Sequence, residues 1–252
     1  MDNMIYVQSL KKSYRSFQLN IPEFRVKCGE IVGLIGKNGA GKTTFLDILL
    51  NRRVQDEGEV FLHGKEKKTA EGTEKIGFVV DGGYLDESLC AIEINQFMQF
   101  IYQDWNTEYF YELLNELSID KTKRIKNLSK GMKMKLDVAV CLAHKPKLLI
   151  LDEVTSGLDP AMRVKVIRLL KSYAKENTAT VLFSTHIIAD IEEIADRICL
   201  VKKGSIVLNQ NLEEIVDYYK KEKNISLNDI ILQYFEEENK DEGINLKRFN
   251  YN

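Results

Sequence analysis

The stretch "EIVGLIGKNGAGKTTFLDILL", residues 30–50, decides how the rest of the chain is read. It opens with an almost unbroken apolar run, as a strand buried on both faces requires. It closes with "TTFLDILL" (43–50), which reads as a helix. Between them, Gly36-Lys37-Asn38-Gly39-Ala40-Gly41-Lys42-Thr43, followed by Thr44, fits G-x-x-x-x-G-K-[ST]. Glycines let the backbone turn its N–H groups inward around phosphate oxygens. The helix start adds the positive end of its dipole. Lys42 supplies a full charge at the β/γ-phosphates, and the Thr43 hydroxyl suits Mg²⁺. A chance glycine-rich turn would leave the Lys-Thr pair and both flanking elements unexplained. The predicted ligand is a nucleoside triphosphate.

A second stretch answers the first. "LLILDEVTSGLD" (148–159) is an apolar strand that ends in two adjacent acids, Asp152 and Glu153. Open α/β sheets bind ligands beyond the carboxyl ends of their strands, so Asp152 belongs beside the phosphate loop. Carboxylates next to a triphosphate repel it unless a cation lies between them. Mg²⁺ is that cation, held by Asp152 directly or through water. Glu153 faces a different direction and is the candidate to orient or deprotonate an attacking water.

Strand and helix signals alternate along most of the chain. "MIYVQSL", "GEVFLHG" (58–64), "KIGFVV" (75–80), "KLLILD", "ATVLFST", "RICLV" and "GSIVLNQ" read as strands. "PAMRVKVIRLLKSYAKE" and "IIADIEEIAD" read as helices. Between about residues 86 and 144, "ESLCAIEINQFMQFIYQ", "NTEYFYELLNELS" and "SKGMKMKLDVAVCLAH" carry apolar residues at helical spacing. An α/β class follows, with a mostly parallel sheet and an inserted helical lobe. After about residue 211 come two helical patterns and a polar tail in which "EEENKDEG" (236–243) reads as solvated.

Composition narrows the function. The chain has 252 residues, 44% of them hydrophobic, enough for one large core. Its 36 basic residues face 38 acidic ones, so the balance gives no reason to expect a nucleic-acid partner. Cys28, Cys90, Cys141 and Cys199 are scattered without a C-x-x-C pair, which suggests neither a zinc site nor a disulfide framework. "MDNMIYVQSL" does not read as a signal peptide, and no apolar run approaches about 18 residues, so the chain is expected to be soluble.

The phosphate loop, "NLSKGM" (127–132), "LLILDE" (148–153), "SGLD" (156–159) and "STH" (184–186) stand in that order. In this order and spacing the chain resembles the nucleotide-binding subunit of an ATP-binding cassette (ABC) transporter, of the bacterial exporter kind. The resemblance covers roughly residues 4–215. It implies a phosphate-loop ATPase core with a mixed sheet, helices on both faces and an N-terminal antiparallel portion. It places the ATPase domain at 1–215, a helical subdomain at about 84–144 and a short helical extension with a polar tail at 216–252. Two such cassettes would trap ATP and Mg²⁺ head to tail. Ser129, Lys130 and Gly131 would meet the γ-phosphate bound by the partner, at the start of an amphipathic helix suited to an anion. His186 would contact the γ-phosphate and the water. Asp159 would communicate across the interface, and Tyr14 would stack on adenine. The implied partners are a second cassette and a transmembrane permease, whose short helix would enter a groove near Tyr84 to Leu89. The chain would sit on the cytoplasmic face of the membrane.

Three departures stand out. Lys130 and Met132 replace a glycine and a glutamine in the signature. Lys130 belongs to "KTKRIKNLSKGMKMK", with seven Lys/Arg and no acid. That run reads either as a solvated face or as extra attraction for the partner's ATP, which salt would weaken. Asp81 stands where the family has a glutamine. It can still bind Mg²⁺, but it adds negative charge beside phosphate and puts coupling to the permease in question. Val154 replaces a common proline. Two other classes compete: a non-transport ATPase acting on nucleic acid or ribosomes, and a kinase or GTP switch. Against the first, the chain has neither fused cassettes nor zinc cysteines; against the second, it lacks N-K-x-D and carries a signature that such a protein does not need.

Overall fold

The computed structural model describes residues 3–66, 75–223 and 226–236. The chain divides into two compact units, Met1–Leu212 and Glu213–Asn252. In the first, β1 (Asn3–Ser13), β2 (Gln18–Lys27), β4 (Glu57–Leu62) and β5 (Lys65–Glu66) form an antiparallel sheet ordered β2-β1-β4-β5. The second sheet has six strands. β6 (Ile76–Val79), β7 (Leu148–Asp152), β8 (Thr180–Thr185), β3 (Ile31–Ile35) and β9 (Arg197–Lys202) run parallel in that spatial order. β10 (Ser205–Asn211) adds to β9 antiparallel.

Every residue of β3, β7 and β8 is buried, which is why each carries an unbroken apolar stretch, interrupted in β7 and β8 only by Asp152, Thr180, Ser184 and Thr185 at the strand ends. Alternate side chains serve opposite faces. Val32 and Leu34 of β3 share a core with Phe45 and Leu46 of α1 (Lys42–Leu49) and with Leu19 and Phe24 of β2. Phe24 meets Phe45 edge to face, ring centres 5.3 Å apart. Gly33, between the two β3 residues, faces α6 (Ile188–Ile194), where an added Cβ would lie 2.2 Å from Ile191. Helices therefore cover both faces of the parallel sheet.

The lobe between β6 and β7 contains α2 (Ala91–Ile101), α3 (Thr107–Glu116) and α4 (Lys130–Ala143). Each begins at a residue that can satisfy helix N–H groups. Asn106 accepts from Tyr109 N at 2.9 Å, and Ser129 accepts from Met132 N at 3.2 Å. Cys90 N donates to Glu93 at 2.8 Å in a capping box. α5 (Pro160–Asn177) starts with Pro160 behind Asp159, whose carboxylate accepts from Met162 N at 3.0 Å.

The strand reading missed β2 and β5. β2 contains Pro22, which argues against a central strand; β2 is an edge strand, where a missing N–H costs little. β5 is only two residues long. The second unit holds most of α7 (Leu212–Lys223) and all of α8 (Leu227–Glu236). Ser226 and Asp229 cap α8 reciprocally, at 3.2 and 3.3 Å. Beyond Glu236 the acidic stretch lies outside the described residues. No helix among the described residues is long and apolar enough to cross a membrane. The four cysteines are free thiols, with Cys90, Cys141 and Cys199 buried and Cys28 exposed.

Candidate functional site

Strand register brings the site together. Ile35 of β3 pairs with Thr185 of β8, and Asp152 of β7 pairs with Ser184. The residues that follow these strands therefore meet at one carboxyl edge. A cleft of about 1000 Å³ opens there.

The phosphate loop forms one wall. Gly36 has no room for a side chain, since a Cβ would lie 2.5 Å from Val201 O. Gly41 takes φ +109° at the start of α1, a backbone that L side chains resist. No side chain caps α1, so its N-terminus faces the cleft with helix N–H groups to offer. Lys42 is 6% exposed. Its Nζ donates to Gly36 O at 2.7 Å and lies 3.7 Å from Glu153 Oε1.

The acids form the opposite wall. Asp152 is buried and accepts from the Ser184 hydroxyl. Glu153 N donates to Ser184 O at 3.2 Å and to its hydroxyl at 3.1 Å. Glu153 adopts φ +51°, an uncommon backbone for a glutamate, of the strained kind that clusters at functional sites. Its Oε2 lies 2.7 Å from His186 Nδ1. Lys42, Glu153 and His186 thus stand in a row. Behind them Asp190 accepts from Thr155 Oγ1 at 2.6 Å and sits 3.3 Å from Arg163 Nε. Burial pushes its carboxyl above the usual range. This network braces the loop after β7 against α6.

Tyr14 lines the far end of the cleft. Arg53 Nη1 donates to its phenol oxygen at 2.8 Å, and the guanidinium carbon is 5.6 Å from the ring centre. Asp47 holds Arg52 at 3.1 Å and Arg53 at 3.6 Å. The guanidinium therefore anchors Tyr14 by its hydroxyl end.

Tyr14, Asn38 to Thr44, Asp81, Asp152, Glu153 and His186 line this one cleft, with Gly36 bonded to Lys42 at its base. Ser129, Lys130, Gly131 and Asp159 do not line it. Ser129 and Asp159 cap helices within the chain. A Cβ on Gly131 would lie 2.9 Å from Gly157 O, so the start of α4 packs closely on the loop after β7. Lys130 Nζ reaches Asp81 Oδ1 at 2.9 Å. The solvated-face reading of the basic run fails at Lys135, which is buried and donates to Leu117 O at 2.6 Å. Sequence reasoning missed Arg52, Arg53, Asp47 and Ser184. Only Ser184 carried a signal, as the first residue of "STH".

The donor set bears on Mg²⁺. Among the described residues no group of three or more His, Cys, Asp or Glu could enclose a metal. The Thr43 hydroxyl and the Asp152 carboxylate suit a cation that takes its other ligands from phosphate and water.

Both the sequence and the fold resemble those of known proteins. Residues 19–156 match the ABC transporter family. The lantibiotic transport ATP-binding protein SrtF of Streptococcus pyogenes is 34% identical over 222 residues, covering 84% of this chain and 95% of that protein. The bacitracin transport ATP-binding protein BcrA of Bacillus licheniformis is 35% identical, covering 88% and 72%. The fold matches an ATP-binding subunit of an ABC transporter with TM-score 0.80 at 25% identity, over 92% of this chain and 99% of that one. It also matches a dimeric ATP-binding cassette bound to ADP and Pi after hydrolysis, with TM-score 0.73 at 25% identity, over 83% and 99%. These names support the transport reading, not the nucleic-acid or ribosome alternative. The chain belongs to the ABC transporter family, as an ATP-binding and ATP-hydrolysing subunit.

Proposed function

We propose that this chain powers a separately encoded membrane permease from the cytoplasmic face of the membrane. Two cassettes close on ATP, and hydrolysis reopens them. Relatives named for lantibiotic and bacitracin transport support export of a peptide, antibiotic or lipid-linked substrate. One observation carries the ATPase chemistry: Lys42, Asp152, Glu153 and His186 share a single cleft at the sheet edge.

The chemistry follows from the residues. The N–H groups around Gly39 to Thr44 and the Lys42 ammonium hold the phosphates. Thr43 and Asp152 would hold Mg²⁺, which supplies charge neutralisation between the phosphates and the acids. Glu153 accepts the proton of a water whose oxygen attacks the γ-phosphorus, and the bond to the bridging oxygen of ADP breaks. His186 orients Glu153 through the 2.7 Å contact. Tyr14 stacks on the base. Ser129 and Gly131 meet the γ-phosphate of the partner's nucleotide. Asp159 lies at the same interface.

Glu153→Gln separates binding from turnover. ATP affinity, read by fluorescent-nucleotide titration, is expected within about twofold of wild type, while phosphate release falls by about 100-fold or more. Unchanged phosphate release would exclude Glu153 as the base.

A further inference from the structure

The two charged departures from the family pattern, Lys130 and Asp81, meet in one ion pair, 2.9 Å from Nζ to Oδ1. The pair joins the start of α4 to the loop leaving β6. Asp81 lines the nucleotide cleft, where Asp152 and Glu153 already place negative charge. A third carboxylate there opposes a triphosphate unless it is neutralised. The Lys130 side chain runs beside Gly157, whose absent Cβ would stand 3.8 Å from its Cδ. The loop is held a second time, since Lys133, one turn along α4, pairs with Glu87. A backbone bond from Lys126 N to Glu87 O, at 3.0 Å, adds a third tie.

We propose that Lys130 is a positioning residue for the nucleotide of its own chain: it neutralises Asp81 and draws that carboxylate aside from the triphosphate. The two departures then compensate each other. The proposal rests on reading the cleft as the MgATP site. Both partners are more than half exposed, 61% and 55%, so the pair adds little to folding stability. Its effect falls on the charged ligand, and salt screens it.

The test is a four-protein cycle: wild type, Lys130→Met, Asp81→Asn and the double variant. A fluorescent ATP analogue with Mg²⁺ is titrated at low protein concentration, where each chain is a monomer. Thermal melts confirm that all four fold. Lys130→Met is expected to weaken binding about fivefold at low salt. Asp81→Asn is expected to bind at least as tightly as wild type, and the double variant to return within about twofold of it. The Lys130→Met deficit shrinks as salt rises. Equal losses with and without Asp81, or no loss in the monomer, would overturn the pairing and assign Lys130 to the partner's nucleotide or to the surface. Wild type and Lys42→Ala serve as controls. A wild type that binds no nucleotide overturns the reading of the cleft; normal binding without rescue overturns only the pair.

Discussion

The carboxyl edge of the parallel sheet and the start of α4, which the proposed mechanism joins in one reaction, are built differently. At the edge, Lys42 and Asp152 are buried, and each has its partner within the chain, Gly36 O and Ser184. At the start of α4, Ser129 and Lys130 are exposed, and Gly131 packs on Gly157 rather than on the cleft. The first region is preorganised by one sheet, and on the proposed mechanism it binds phosphate without a second chain. The second does not line that cleft, so the phosphate contact proposed for Ser129 and Gly131 requires another molecule. On the proposed mechanism, ATP binding is a property of one chain and turnover a property of two.

The largest effect breaks the comparison at the edge. Lys42→Ala is expected to weaken ATP binding by the isolated chain by about 100-fold, since a buried charge at the phosphates is lost. Ser129→Asp is the contrasting change. Aspartate keeps the helix cap but sets a negative charge where the partner's phosphate would come. Monomer binding is expected within about twofold of wild type, while turnover falls about tenfold or more. Parallel titration and phosphate-release assays read both; equal loss of monomer binding in the two variants would erase the distinction.

An effect on stability rather than on binding lies beneath the loop that carries Asp81. Asp137 of α4 is buried, and burial pushes its pKa up to about 7, partly opposed by Lys133. An acid raised above its unfolded value of 3.8 folds best when protonated. Its contribution is intact below about pH 4, drains away as pH rises towards 7, and is flat beyond. Asp137→Asn removes the drain. Its stability advantage should grow from about pH 4 to about pH 7 and then level off, a change of about 4 kcal/mol, as read by urea unfolding. An advantage independent of pH would contradict the buried-acid account.

The smallest effect refines the edge itself. Tyr14→Phe keeps the ring and loses the Arg53 bond; Arg53→Met loses it from the other side. Each is expected to weaken ATP binding about threefold with turnover at saturation unchanged, and the double variant no further. Additive losses would mean that Arg53 acts on the nucleotide independently of Tyr14.

The edge was legible in the sequence because its chemistry is local. Eight consecutive residues make the phosphate loop, and one apolar strand delivers Asp152 and Glu153. The lobe was legible as helices, since the apolar spacing of α2 to α4 is regular. What stayed hidden depends on pairs distant in the chain. Arg53 and Tyr14 stand 39 positions apart. Neither Lys130 nor Asp81 names the other, and Lys135 looks like one more surface lysine until α4 is seen to bury it. β2 escaped because Pro22 interrupts its pattern, and only the sheet order reveals that an edge strand tolerates it.

Sedimentation of Glu153→Gln with ATP and Mg²⁺ tests the division between one chain and two most directly. A species of twice the chain mass should form with ATP, not with ADP, and vanish when Ser129→Asp is added. A monomer under every nucleotide, with ATP demonstrably bound, would contradict it.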